Sequence, residues 1–254
     1  EGSSCQVIGL PGGGRSNLLG LLSYNRNVRI KHLGENQKWF HFVLCNFAEV
    51  RKRSLFDTTK FLFLSLIASL RERGMKEEHQ KTSTIFKKSL GFNDEMVLFQ
   101  GLKRTIDLLS IEKELTVVFL FDRFEDYIPT VTPEFFTNLR VLRDRAKYRF
   151  SVVFSTYKPL EDLIGQDLLS DFYQFVAGHT VYLPFLDKPG LDFRISYMEK
   201  VGGKTLSKEI IDAIIKVTAG HPNLTRLAVE AVLDTGNVIL EDRRDDRIPE
   251  RDPI

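Results

Sequence analysis

The chain has 254 residues, 43% of them hydrophobic and 28% charged, and 36 basic against 34 acidic side chains leave a formal charge of +2. That composition excludes wholesale disorder, and the near-balance of charge excludes nucleic-acid binding by bulk attraction. Cys5 and Cys45 are too few for a disulfide framework and neither sits in a CxxC pair, so a reducing, cytoplasmic setting is expected. The longest uncharged apolar run in a helix-like segment, 61–70, has ten residues, about half of a membrane span. The opening residues do not read as a signal peptide.

The first buried strand is expected at 5–8 (CQVI), followed by a helix over 17–24 and a second strand at 39–45 (WFHFVLC). A helix over 54–71 is apolar on more than one side, which predicts a position sandwiched between layers. The stretch 71–88 mixes six basic with three acidic residues and reads as a mobile surface segment. Met96, Phe99, Leu102, Ile106 and Leu109 recur at helical spacing within 95–110. The third strand falls at 115–121 (LTVVFLF), and a helix over 133–146 follows, with Thr132 as N-cap and Pro133 at its first position. Strands at 150–154 (FSVVF) and 180–183 (TVYL) complete the set. None alternates cleanly between apolar and polar, which favours strands covered on both faces, as in a parallel sheet. Strands alternating with helices predict an α/β fold wound right-handed.

After Pro184 the pattern becomes helical, over 187–201, 207–219 and 221–234, with Ser207 opening the second helix and Gly220 marking the junction to the third. The expected organisation is an α/β domain over 1–184, a helical lid subdomain over 185–240 and a charged linker or tail over 241–254. That tail holds ten charged residues and two prolines and is expected to lead to another domain.

The first strand runs into Gly9-Leu10-Pro11-Gly12-Gly13-Gly14-Arg15-Ser16, and a helix begins at once. This is G-x-x-x-x-G-K-S/T with Arg15 where lysine is expected. Glycines let consecutive amides turn around a phosphate, and the helix N-terminus, with Asn17 in its first turn, adds partial positive charge. The cation meets the outer phosphates and the Ser16 hydroxyl is a ligand for Mg²⁺. A dinucleotide loop fits poorly, because Asn17 falls where G-x-G-x-x-G needs glycine and no acidic residue ends the second strand. Arginine keeps the charge, but its planar fork is bulkier than a compact ammonium, so binding should tolerate the change better than catalysis.

The second constellation lies 106 residues beyond Ser16, at Asp122-Arg123-Phe124-Glu125-Asp126. An acidic residue ending a buried strand is placed to hold Mg²⁺ beside a phosphate loop, and Asp122 is that candidate. Many ATPases of this type follow the aspartate with a glutamate that activates water; Arg123 stands there, which leaves Glu125 as the best available base. Ser155, with Thr156, ends the fourth strand as a small polar side chain suited to a phosphate or an attacking water.

This order of features resembles the AAA+/STAND division of P-loop ATPases, with the closest likeness to archaeal-type and origin-recognition-like ATPases, over about residues 5–235. The resemblance implies a five-stranded, mainly parallel sheet in the order 5-1-4-3-2, ATP or ADP with Mg²⁺ as ligands, and a helical lid. It also implies nucleotide contacts from His221 and Pro222, in the G-H-P tripeptide at 220–222, and a phosphate-sensing role for Arg226. A winged-helix domain often follows in such proteins. The segment that usually helps hold the base lies upstream in the family; only eight residues precede Gly9, so it is expected to be missing here. The activity expected is that of an ATP-binding switch with slow or impaired hydrolysis, coupled to a protein partner, to self-association or to DNA. The alternative is a pseudo-ATPase serving as an assembly platform.

Arg140, Arg143, Arg145, Lys147 and Arg149 lie within ten residues, and Arg140, Arg143 and Lys147 share a helical face by spacing. A DNA-phosphate patch, an arginine reaching a neighbour's nucleotide and a solvated charged face are the three readings, the last favoured. The five histidines show no paired metal spacing, and His41, within a strand, reads as a hydrogen-bonded core residue.

Overall fold

The computed structural model describes residues 3–169 and 172–235; the expected charged tail at 241–254 lies outside the described residues. These fall into two compact units that divide after Pro184.

In the first unit β1 (Cys5–Ile8) leads to α1 (Arg15–Tyr24), α2 (Arg26–Leu33) and β2 (Phe40–Asn46). Three helices follow, α3 (Leu55–Glu72), α4 (Lys76–Leu90) and α5 (Glu95–Asp107), then β3 (Thr116–Asp122), α6 (Pro133–Ala146) and β4 (Phe150–Thr156). Short helices α7 (Leu160–Leu163), α8 (Gln166–Leu169) and α9 (Tyr173–Val176) connect to β5 (Thr180–Tyr182). The five strands pair in parallel in the order β2-β3-β4-β1-β5, which is the expected 5-1-4-3-2 read from the other edge. This is the α/β architecture of a P-loop nucleotide-binding fold.

Alternation along β3 builds two layers of core. Val117, Phe119 and Phe121 join Phe47, Phe135, Phe136 and Phe154 on one face, while Val118 and Leu120 meet Leu19 of α1 on the other. Helix α3 packs against β2 on one side and α4 and α5 on the other, as its two-sided apolar pattern predicts. Because all strands run in parallel, their C-terminal ends share one edge of the sheet. The chain leaves β1 for the far edge, works back to β4 beside β1, then crosses to β5, so the β1–β4 border is a topological switch point, where α/β sheets place ligands.

The stretch 71–88 departs from expectation. It turns after α3 and then forms most of α4, whose Glu78, Thr82, Phe86 and Ser89 are buried along one face. Only Phe86 on that face is large and apolar; it meets Phe63 edge-on at 5.1 Å. Ile85 and Leu90, half-buried, also pack against the core, and at Ser89 the approach is close, since a Cβ on Gly101 would lie 2.2 Å from Ser89 Oγ. A face made of threonine, serine and glycine carries little hydrophobic signal, which is why it read as surface. Sequence analysis also missed α2, which opens on Asn25, its side chain accepting from the amides of Asn27 and Val28.

The second unit consists of α10 (Lys188–Gly202), α11 (Lys208–Thr218) and α12 (Pro222–Thr235) around Ile195, Ile214, Val229, Val232 and Leu233. Ser207 caps α11 by accepting from the Ile210 amide, and Gly220 (φ 79°) joins α11 to α12. No helix among the described residues is long and apolar enough to cross a membrane.

Candidate functional site

The glycine loop leaves β1 at the switch point, where the Gly9 amide donates to Thr156 O of β4 at 3.2 Å. Gly13 N–H donates back to Leu10 O at 2.9 Å, closing a tight turn, and a Cβ on Gly13 would meet that same oxygen at 2.9 Å. Gly12 (φ 76°) and Gly14 (φ 97°) occupy the left-handed region that side chains disfavour. Gly14 is the N-cap of α1, no side chain caps that end and no acidic residue lies in its first turn. The first helical bond is Leu18 N–H to Gly14 O, so the amides of Ser16 and Asn17 precede it on an exposed surface. This end of α1 therefore offers uncompensated donors and the positive pole of the helix dipole to an anion. From Ser16 an open groove of about 720 Å³ runs along α1 past Asn17, Gly20, Leu21 and Tyr24.

At the same sheet edge Asp122 is the last residue of β3 and is buried, and its Oδ1 has no hydrogen-bond partner. Ser155 of β4 is completely buried, and its Oγ likewise lacks a partner. Buried polar atoms are rarely left unsatisfied, and these two lie at the C-terminal ends of adjacent strands. Thr156, by contrast, donates its hydroxyl to Lys158 O at 2.7 Å and caps the turn after β4.

After Asp122 the chain turns sharply. Arg123 adopts φ 54°, an unfavourable conformation for a non-glycine residue, and a 3-10 turn follows over Phe124–Asp126. Phe124 is fully buried among Phe47, Phe121, Phe135 and Phe154, with ring centroids 4.9 to 5.9 Å away, and fixes the turn. Arg123 points to Asp126, at 2.9 Å, so its side chain does not take the place of a catalytic glutamate. Asp126 also pairs with Arg51.

Glu125 faces the glycine loop and holds Arg15 in a two-point ion pair, with Nη2 to Oε1 at 2.7 Å and Nη1 to Oε2 at 3.4 Å. Both side chains are mostly buried, 10% and 18% exposed. The arginine stem crosses Gly9, where a Cβ would lie 3.1 Å from Arg15 Cγ. The two residues were expected in separate tasks, and their pairing across 110 residues left one signal in the sequence, the non-lysine at the loop.

Of the sequence-predicted residues, Gly9, Pro11, Gly12, Gly13 and Gly14 belong to the loop after β1, Arg15, Ser16 and Asn17 to the first turn of α1, Asp122 and Ser155 to the ends of β3 and β4, and Glu125 to the turn after β3, all in the first unit. His221, Pro222 and Arg226 belong to the second unit. There His221 caps α12, its Nδ1 accepting from the Leu224 amide at 3.3 Å, and its ring lies 5.2 Å from Phe185. Pro222 is the first residue of α12, and Arg226 is held by Glu230 at 2.7 Å and Asn223 at 3.2 Å.

The basic cluster is largely engaged within the first unit. Arg143 stacks on Phe175 at 3.6 Å, Arg145 Nε reaches both carboxylate oxygens of Asp107 at 3.1 Å, and Arg149 donates to Ser110 O and Glu114. Lys147 does not continue the expected helical face, because α6 ends at Ala146 and Lys147 (φ 54°) turns the chain.

Away from the loop, His41 is buried at the start of β2. Its Nε2 lies 2.9 Å from Ser69 Oγ and its Nδ1 3.3 Å from Arg73 Nη1. Burial, and then the charges of Arg73 and Arg29, push it down to about 3. Cys45 is a free thiol whose burial raises its pKa. Among the described residues no group of three or more histidine, cysteine or acidic side chains is arranged to hold a metal.

No family model and no curated protein matches the sequence. Solved structures do match. A Walker-type ATPase of Pyrococcus abyssi is similar over 92% of this chain and 63% of its own, with 14% identity and a TM-score of 0.55. The Aeropyrum pernix ORC2 protein, solved as ADPNP–ADP complexes, is similar over 91% of this chain and 55% of its own, with 13% identity and a TM-score of 0.54. The Aeropyrum pernix ORC1 protein, solved in complex with DNA, is similar over 91% and 54%, with 12% identity and a TM-score of 0.51. At these identities the likeness shows the fold alone, one that this chain shares with a Walker-type ATPase and with archaeal ORC proteins. The chain spans between about half and two thirds of the length of these structures.

Proposed function

We propose that this chain is an ATP-binding switch of the AAA+/STAND type, with slow or impaired hydrolysis, that couples nucleotide state to a protein partner or to DNA. The observation that carries this reading is the loop at the switch point: an uncapped helix N-terminus, glycines at positive φ, and an unpartnered buried carboxylate on the same edge. The amides of Gly14 to Asn17 would hold the phosphates, with Arg15 toward the outer ones, and Ser16 and Asp122 would hold Mg²⁺. Bound Mg²⁺ would supply charge neutralisation along the phosphate chain. For His221, Pro222 and Arg226 the proposed nucleotide contacts rest on the family resemblance alone. The solved ORC2 and ORC1 structures, one with nucleotides and one with DNA, support the ligand and partner classes. Isothermal titration with Mg-ATP tests the proposal: micromolar binding, lost in Gly13→Val, is expected. No heat at high protein concentration overturns it.

A specific observation favours the pseudo-ATPase alternative. Arg123 follows Asp122 in the chain where a glutamate base is expected, and its side chain is paired with Asp126, while Glu125 is paired with Arg15. The double variant Arg15→Lys, Arg123→Glu separates the two readings: phosphate release above background supports a dormant catalyst, and none supports a platform.

A further inference from the structure

The guanidinium that the loop presents to a ligand is already satisfied by a carboxylate. An arginine fork binds a carboxylate and a phosphate with the same two-point geometry, so the two compete for one position. The competitor is held in place rather than passing by. Arg123 in the left-handed region reverses the chain directly after Asp122, Phe124 plugs the turn into the aromatic core, and Glu125 is left facing the loop. On the other side, the arginine stem crosses Gly9, where a Cβ would lie 3.1 Å from Arg15 Cγ and 3.3 Å from Leu183 Cβ. A lysine at position 15 has no fork and could meet the carboxylate at one point only, so the two-point pair belongs to the substitution that sets the loop apart.

We propose that Glu125 is an internal counter-ligand: it occupies Arg15 in the free protein, and a phosphate ligand binds fully only by displacing it. The proposal rests on the nucleotide reading above. It makes Glu125 a specificity-determining residue. A ligand bringing two or three phosphates reaches Arg15 and supplies the charge that replaces the carboxylate, whereas a monophosphate held by the loop amides does not. The carboxylate therefore weakens the binding of ligands that reach Arg15 and leaves monophosphates untouched, so it sets how strongly the site prefers polyphosphates, and its removal widens that preference.

The test is a double-mutant cycle on the whole chain, read by isothermal titration with Mg-ATP, Mg-ADP and AMP as probes. Glu125→Gln keeps the shape and removes the charge, and it is expected to tighten Mg-ATP about tenfold, in the range that partly buried charge pairs contribute. In an Arg15→Met background the same change is expected to alter affinity less than about twofold, because the competition is gone. AMP is expected to gain less than Mg-ATP from Glu125→Gln. A nitrogen-15 spectrum of the Arg15 side chain, shifted on adding Mg-ATP to the parent and already shifted in Glu125→Gln, reads the displacement without any turnover. Thermal unfolding of each variant confirms that it is folded. If the parent binds Mg-ATP and Glu125→Gln binds equally or more weakly, the counter-ligand is overturned while nucleotide binding stands. If neither the parent nor Glu125→Gln binds, the nucleotide reading itself falls and takes the counter-ligand with it.

Discussion

Two buried constellations of charged and polar groups sit at opposite ends of the same sheet, and they are finished differently. At the N-terminal end of β2, His41 is neutral and bonded on both ring nitrogens, to Ser69 and Arg73. Arg73 donates further to Lys38 O and Phe40 O, and Arg29 donates to Leu22 O and Ser23 O. At the C-terminal ends of β3 and β4, Asp122 Oδ1 and Ser155 Oγ have no partner, Arg123 is strained, and one ion pair plugs the loop. A corner whose polar groups are satisfied by the fold itself is structural. A corner that leaves acceptors and donors open forgoes stability that a ligand can return.

The aromatic plug beneath the open corner offers the largest test of this contrast. Phe124→Ala is expected to cost about 3–5 kcal/mol by chemical denaturation, since a fully buried ring in an aromatic cluster is deleted. A cost under about 1 kcal/mol would mean that the turn carrying Glu125 is not anchored by the core.

The closed corner is tested by acid. Unfolded His41 takes a proton below about pH 6.5, whereas folded His41 resists protonation down to about 3, facing Arg73 and Arg29. The unfolded state therefore binds more protons across that window, and stability falls as pH drops through it, by about 1.4 kcal/mol per pH unit for this one group. Between pH 7 and pH 5 the parent is expected to lose about 2 kcal/mol more than His41→Gln, compared by denaturant titration at both pH values. Equal losses would remove His41 as the structural acid sensor.

The smallest expected effect sharpens the open corner. Asp122→Asn is expected to leave stability unchanged or raise it by up to about 1 kcal/mol, because an acidic group with one buried, unpartnered oxygen gives way to a neutral amide. The same change should weaken Mg-ATP binding in titration. A clear loss of stability would show that Asp122 is as structural as His41.

Residue order and spacing determined a good deal here. Apolar runs without alternation gave parallel strands, and the glycines from Gly9 to Gly14 with Ser16 marked the anion loop, because left-handed and close-packed backbone accepts little else. Asp122 was legible from its place after five consecutive buried residues of β3. Other features needed the third dimension. Helix α4 buries Glu78, Thr82 and Ser89 beside a single large apolar residue, Phe86, and sets Ser89 against Gly101, a face with little hydrophobic signature. The Arg15–Glu125 pair joins residues 110 apart through a turn whose direction depends on one positive φ and one buried ring. Local propensity and periodicity are written in neighbouring residues, whereas the pairing of two charges is decided by where separate strands end. That is why the phosphate loop could be read along the chain, and the carboxylate that occupies its arginine could not.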